Sequence, residues 1–94
     1  MKKAYFLMHG GGYVGKSLVK SWADNSPLVI TWRTEMQGAF FVISEASAEE
    51  LYTDLRASVP SIRTFIFVEA HTNRQGLLSK ESWHLLRHKE PKPK

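Results

Sequence analysis

The stretch His9-Gly10-Gly11-Gly12-Tyr13-Val14-Gly15-Lys16-Ser17 follows a short apolar run and leads into a helical pattern. From Gly10 to Ser17 it fits G-x-x-x-x-G-K-[ST] at every position, the spacing with which backbone N–H groups cradle phosphates while a lysine reaches the outer ones. Nucleotide hydrolysis needs more than this loop. It needs a mostly parallel sheet and an acid ending a neighbouring strand to help hold magnesium, and Glu69 is the candidate acid. Lacking those, the same turn at a helix N-terminus is an anion site without catalysis, or a glycine turn with no chemical role.

Other residues widen the choice. Arg33 and Arg63 fall at expected strand ends, and with His9 and Lys16 they are expected to share one edge, where three cations and a histidine suit a phosphate. The candidate set for phosphate or nucleic-acid contact is therefore His9, Gly12, Lys16, Ser17, Arg33 and Arg63, against a background of ordinary solvated charge. His9 is also placed to act as a general acid or base. Glu81, His84 and His88 fall on one helical face, but zinc needs a further ligand that the sequence does not supply. Gly38, Phe41 and Val42 match part of an RNA-recognition strand, with Tyr5 as a second platform, although packed aromatics explain them better. His71, Asn73 and Arg74 form a polar cluster that suits either a ligand or a turn. No serine–histidine–acid set stands out, and neither a cofactor nor a metal is called for.

These residues must be positioned by a small fold. Ninety-four residues make one domain, and a chain this short buries only about two thirds of its unfolded surface. Residues 4–8 are apolar on both alternating sets, as in a strand covered on two sides. Val14, Leu18 and Trp22 recur at the helical period. "LVITWR" (28–33) and "AFFVIS" (39–44) read as a hairpin. Ser47 and Glu50 make a capping box for a helix with Ala48, Leu51, Tyr52, Leu55 and Val59 on one face, ended by Pro60. "RTFIFVEA" (63–70) is a fourth strand, and "SKESWHLLRHK" a last short helix with Trp83 and Leu86 on one side.

The order β-α-β-β-α-β plus a helix predicts an α+β chain: a ferredoxin-like βαββαβ sandwich with an additional C-terminal helix, one domain over 1–88 and a basic flexible tail over 89–94. Both main helices then lie on one sheet face. Aromatics on the other face need cover, so a homodimer built on that face or on a strand edge is expected, the alternative being a monomer capped by its own last helix.

The net charge of +4 sits partly at the chain ends, and the aromatic content of 12% excludes a disordered chain. Cysteine is absent, which removes disulfides and thiolate chemistry. No segment approaches the ~20 apolar residues of a membrane span, so a cytoplasmic protein without membrane contact is expected.

The strand "AYFLM", the hairpin "TWRTEMQGAFFVIS", the helix "SAEELYTDLR" and the strand "RTFIFVEA" together resemble the small ferredoxin-like proteins that include the CRISPR-adaptation endonuclease subunit and virulence-associated protein D, over most of residues 4–70. The resemblance implies a homodimer and, in nuclease members, a metal-binding acid just after the first strand. His9 and glycines stand at that place here. The leading expectation is a small dimeric binding or regulatory module contacting nucleic acid or a protein partner through a basic edge. A metal-dependent nuclease, and a nucleotide-phosphate binder using Gly10–Ser17, are the alternatives.

Overall fold

Strands apolar on both sides give a sheet with two faces to cover, and the helices divide that work unequally. A computed structural model describes residues 1–93; of the expected tail, Lys94 lies outside them. In chain order come β1 (Lys3–His9), α1 (Gly12–Asn25), β2 (Thr31–Met36), β3 (Ala39–Ser44), α2 (Ala48–Ser58), β4 (Phe65–Glu69) and α3 (Lys80–His88). The chain is thus α+β, with one four-stranded sheet in the order β2-β3-β1-β4 and every neighbouring pair antiparallel.

On the front face, Tyr5, Leu7, Phe40, Val42 and Phe67 pack with Val19 and Trp22 of α1 and with Leu51 and Leu55 of α2. Leu7, Val19, Leu51 and Leu55 are fully buried, each such side chain contributing about 1.5–3 kcal/mol. Asp54 of α2 ties the two helices together, accepting from Trp22 Nε1 at 2.8 Å and from Ser26 Oγ at 2.6 Å. The capping box of α2 forms as the sequence predicts, with Ser47 Oγ accepting from Glu50 N and Glu50 accepting from Ser47 N. Tyr52 turns outward instead of joining that helix's buried face, and its ring meets Phe65 at 5.5 Å.

Two further sequence expectations shift. The inward line of α1 is Gly15, Val19, Trp22 and Ala23, so Val14 is exposed and does not share a buried face with Trp22. The cause is the close approach at Gly15 described below, which fixes the rotation of the helix about its axis. The second strand runs over Thr31–Met36, not 28–33, because the turn needs only Gln37 and Gly38. Gly38 takes φ +82°, a left-handed conformation that glycine adopts freely. A one-residue register shift between Arg33 and Met36 absorbs the difference as a bulge.

On the back face, Ala4, Phe41 and Ile43 pack under Leu85 and Leu86 of α3, flanked by Phe6 and Trp83. The last helix therefore roofs the β3 side of this face from within the same chain. It is held by a polar latch from β2. Arg33 Nε donates to Ser82 Oγ at 3.0 Å, and Glu35 accepts from Ser79 N at 3.1 Å and from Ser79 Oγ at 3.0 Å. Ser79 in turn caps α3 by accepting from Ser82 N. Hydrogen bonding from Ser82 first, then from Ser79, with Arg33 nearby, holds the Glu35 carboxyl below its ordinary range.

A depressed carboxyl pKa contributes stability that is present above the ordinary carboxylate range and lost as pH falls through the folded value. The latch should therefore loosen on acidification, read as broadening and movement of the Trp83 indole resonance. In Glu35→Gln that resonance should already be shifted at neutral pH and lose its acid limb. An unchanged acid limb in Glu35→Gln would show that the latch does not hold α3.

Candidate functional site

The glycine motif folds as a tight strand-to-helix turn. Only Gly10 and Gly11 separate β1 from α1, and Gly11 serves as N-cap with φ +93°. Gly15 N donates to Gly11 O at 2.9 Å, and a Cβ on Gly15 would stand 2.4 Å from the Gly10 carbonyl oxygen. Gly15 is thus required by contact with the chain's own backbone. Because the helix begins at Gly12, the Gly15-Lys16-Ser17 portion lies within it, and no loop remains to curl around a chain of phosphates. The alternating sheet adds a second obstacle: Glu69 pairs with Tyr5, four residues or about 13 Å along β1 from His9.

His9 turns inward. Its Nδ1 donates to the Gly10 carbonyl at 2.8 Å, the ring lies 5.7 Å from Phe40, and Nε2 is buried with no partner. Neither ring nitrogen is therefore offered to a substrate. Gly10 N donates to Thr64 O at 2.9 Å, which brings Arg63 to the same end of the sheet as the turn. Ser17 and Arg63 are exposed there, and Lys16 is partly buried one turn into α1. Arg33 does not join them. It sits on β2, two strands from β1, paired with Phe41 of β3, and its guanidinium is engaged with Ser82 on the back face. The expected shared edge therefore reduces to Lys16, Ser17 and Arg63 beside the first-turn amides of α1, which have no side-chain cap and no acidic neighbour.

The sequence reading missed Tyr13 at that end, 84% exposed at the start of α1. Its only sequence signal was an aromatic next to a glycine run. Tyr5 is no platform: it is buried on the front face, and its hydroxyl donates to Ala46 O at 2.7 Å. Burial first, then Glu69 and Glu50, raise its pKa. Phe6, facing Phe41 edge-on at 5.8 Å, holds the equivalent place on the back face. His84 and His88 approach each other at 4.4 Å, but no group of three or more His, Cys, Asp or Glu side chains suited to a metal occurs among the described residues.

Two surface features stand out. Among the described residues the one ion pair joins the N-terminal amine to Glu45, so no lysine or arginine side chain has a carboxylate oxygen within 4.0 Å. The second feature is the outer edge of β4. Gly10 N donates to Thr64 O and Ala70 N to Ala4 O, so the even-numbered residues bond to β1 while Phe65, Phe67 and Glu69 direct N–H and C=O groups to the open side. Ile66, Val68 and Met8 beside it are 55%, 41% and 44% exposed, and β4 has none of the lysine or proline that guards natural edges. No helix among the described residues is long and apolar enough to cross a membrane.

Compared with protein-family models, curated proteins and solved structures, the chain matches none.

The turn makes a separable prediction. Gly15→Ala forces its Cβ into the Gly10 carbonyl and should cost about 1–3 kcal/mol, lowering Tm by about 5–20 °C. Lys16→Ala, on the next residue, should change stability by less than about 0.5 kcal/mol. Equal melting of the two variants in a thermal scan would refute the steric account.

Proposed function

We propose that the chain is a homodimeric nucleic-acid-binding module of the ferredoxin-like arrangement, with its last helix packed on the back of the sheet. The strand order β2-β3-β1-β4 supports that fold reading. The observation that carries the binding function is the net charge of +4, with no lysine or arginine within 4.0 Å of a carboxylate oxygen among the described residues: such cations favour an anionic polymer, whose condensed counterions are released on contact. At the end bearing Lys16, Ser17 and Arg63, open backbone amides of α1 add donors for a phosphate, and Tyr13 adds an exposed ring. Nothing in this contact requires chemistry on the bound strand.

Dimerisation follows from β4. An antiparallel partner strand satisfies the free groups of Phe65, Phe67 and Glu69, and a two-fold axis through the pair sets Ile66 and Val68 of one copy beside those of the other. Two copies double the cationic surface, so one strand engaging both gains from effective concentration.

Two measurements test this reading. Sedimentation should give a dimer for the native chain and a monomer for Val68→Lys, since like charges would meet across the axis; a native monomer at high concentration sinks the pairing. In fluorescence anisotropy the binding constant for RNA or DNA should fall steeply with salt, and Lys16→Ala and Arg63→Ala should each reduce the logarithmic slope by about 1. Salt-independent binding, or selective binding of a protein ligand with no affinity for nucleic acid, contradicts the proposal.

A further inference from the structure

We propose that the open groove between the back of the sheet and α3 binds one unpaired nucleotide of a single strand, its base against the partly exposed Phe6 and Trp83 and its phosphate on Arg74 and Arg87. The inference rests on the nucleic-acid reading of this protein but not on the cationic end at Lys16 and Arg63, neither of which lines the groove.

Two adjoining cavities make the site. The larger, about 520 Å³, falls within the roughly 300–1,000 Å³ of small-molecule sites and is floored by Phe6 and Phe41 and walled by Trp83 and Leu86. The smaller, about 220 Å³, is lined by Thr72, Arg74, Gln75, Trp83 and Arg87. Arg74, Gln75 and Trp83 belong to both, so an apolar, aromatic space runs directly into one bearing two guanidinium groups. No carboxylate lines either cavity.

The polar groups of this region are left waiting. Arg74 donates from one terminal nitrogen to His71 O at 2.6 Å, yet its Nε is buried without a partner. Arg87 lies over the Trp83 ring at 5.6 Å and has no carboxylate partner. The indoles of Trp22 and Trp32 donate to Asp54 and Asp24, whereas that of Trp83 has no acceptor among the described residues.

The chemistry narrows the occupant. A wholly apolar ligand would leave the guanidinium groups of Arg74 and Arg87 beside it without an anionic acceptor. A bare phosphate would leave the aromatic floor wet. A nucleotide meets both demands, with a π-face for the rings, edge atoms for the amides of Gln37 and Gln75, and a doubly hydrogen-bonding anion for arginine. Bases inside a duplex are stacked and paired, so only an unpaired one can enter.

The test uses the full chain with four probes: a short oligoadenylate, an abasic strand of equal length, AMP, and a duplex. Oligoadenylate should bind roughly 5- to 100-fold more tightly than the abasic strand, the range expected for one stacked base, and should move the Trp83 indole resonance. Exposed Arg87→Gln, expected to melt as the native chain does, and partly buried Arg74→Gln, compared at a temperature where its melt shows it folded, should each weaken oligoadenylate by about 10-fold or more, as loss of a charge-assisted hydrogen bond implies. Equal binding of the abasic strand, AMP binding as tightly as the strand, or indifference to both arginine variants overturns the proposal. If strand and duplex binding both depend on Lys16 and Arg63 while the Trp83 resonance stays fixed, the groove assignment fails and the cationic-end reading stands. If oligoadenylate binds through Arg74 and Arg87 with no effect of Lys16→Ala or Arg63→Ala, the groove stands and the cationic end fails.

Discussion

A four-stranded sheet that is apolar on both sides must be covered on both, and the rest of this molecule follows from how unevenly that is done. Helices α1 and α2, with 14 and 11 residues, lie over the front face and bury its side chains almost completely. The back face receives α3, with 9 residues, which reaches the β3 side but leaves Met8, Ile66 and Val68 open toward β4. Burial near 25 cal/mol per Å² makes such an uncovered strip a standing source of binding free energy.

The short helix needs help, since nine residues are too few to be stable alone in water. Its apolar side, Leu85 and Leu86, gives the burial, while the latch of Arg33, Glu35, Ser79 and Ser82 sets its position along β2. One side chain thereby changes meaning. Arg33 looks in the sequence like a surface cation available to a phosphate, and in the fold it is a structural donor to a buried serine.

The glycine motif shows the opposite relation between spelling and chemistry. Its glycines answer steric demands of a two-residue connection, above all the near contact of Gly15 with the Gly10 carbonyl. The lysine and serine that complete the motif sit inside a helix. What survives of the phosphate idea is general: the proposed polyanion contact rests on the uncapped start of α1 and a net charge of +4, not on the special geometry of a nucleotide-hydrolysing loop.

Much of the architecture was legible in the residues because the cues are local. The Ser47–Glu50 box and the β-branched and aromatic content of "AFFVIS" each act over a few positions, so element order and the capped helix α2 could be read directly. The rotation of α1 could not be, because Val14 and Gly15 differ by one position and a backbone contact across the turn selects between them. Nor could the grouping of Arg74, Trp83 and Arg87 beside Phe6 and Phe41, which lie far apart in sequence and meet only when α3 folds back over the sheet. Periodicity and capping are properties of neighbouring residues, whereas cavities and shared edges depend on which distant surfaces close over one another. That closure is a global choice, made by the burial of both sheet faces at once.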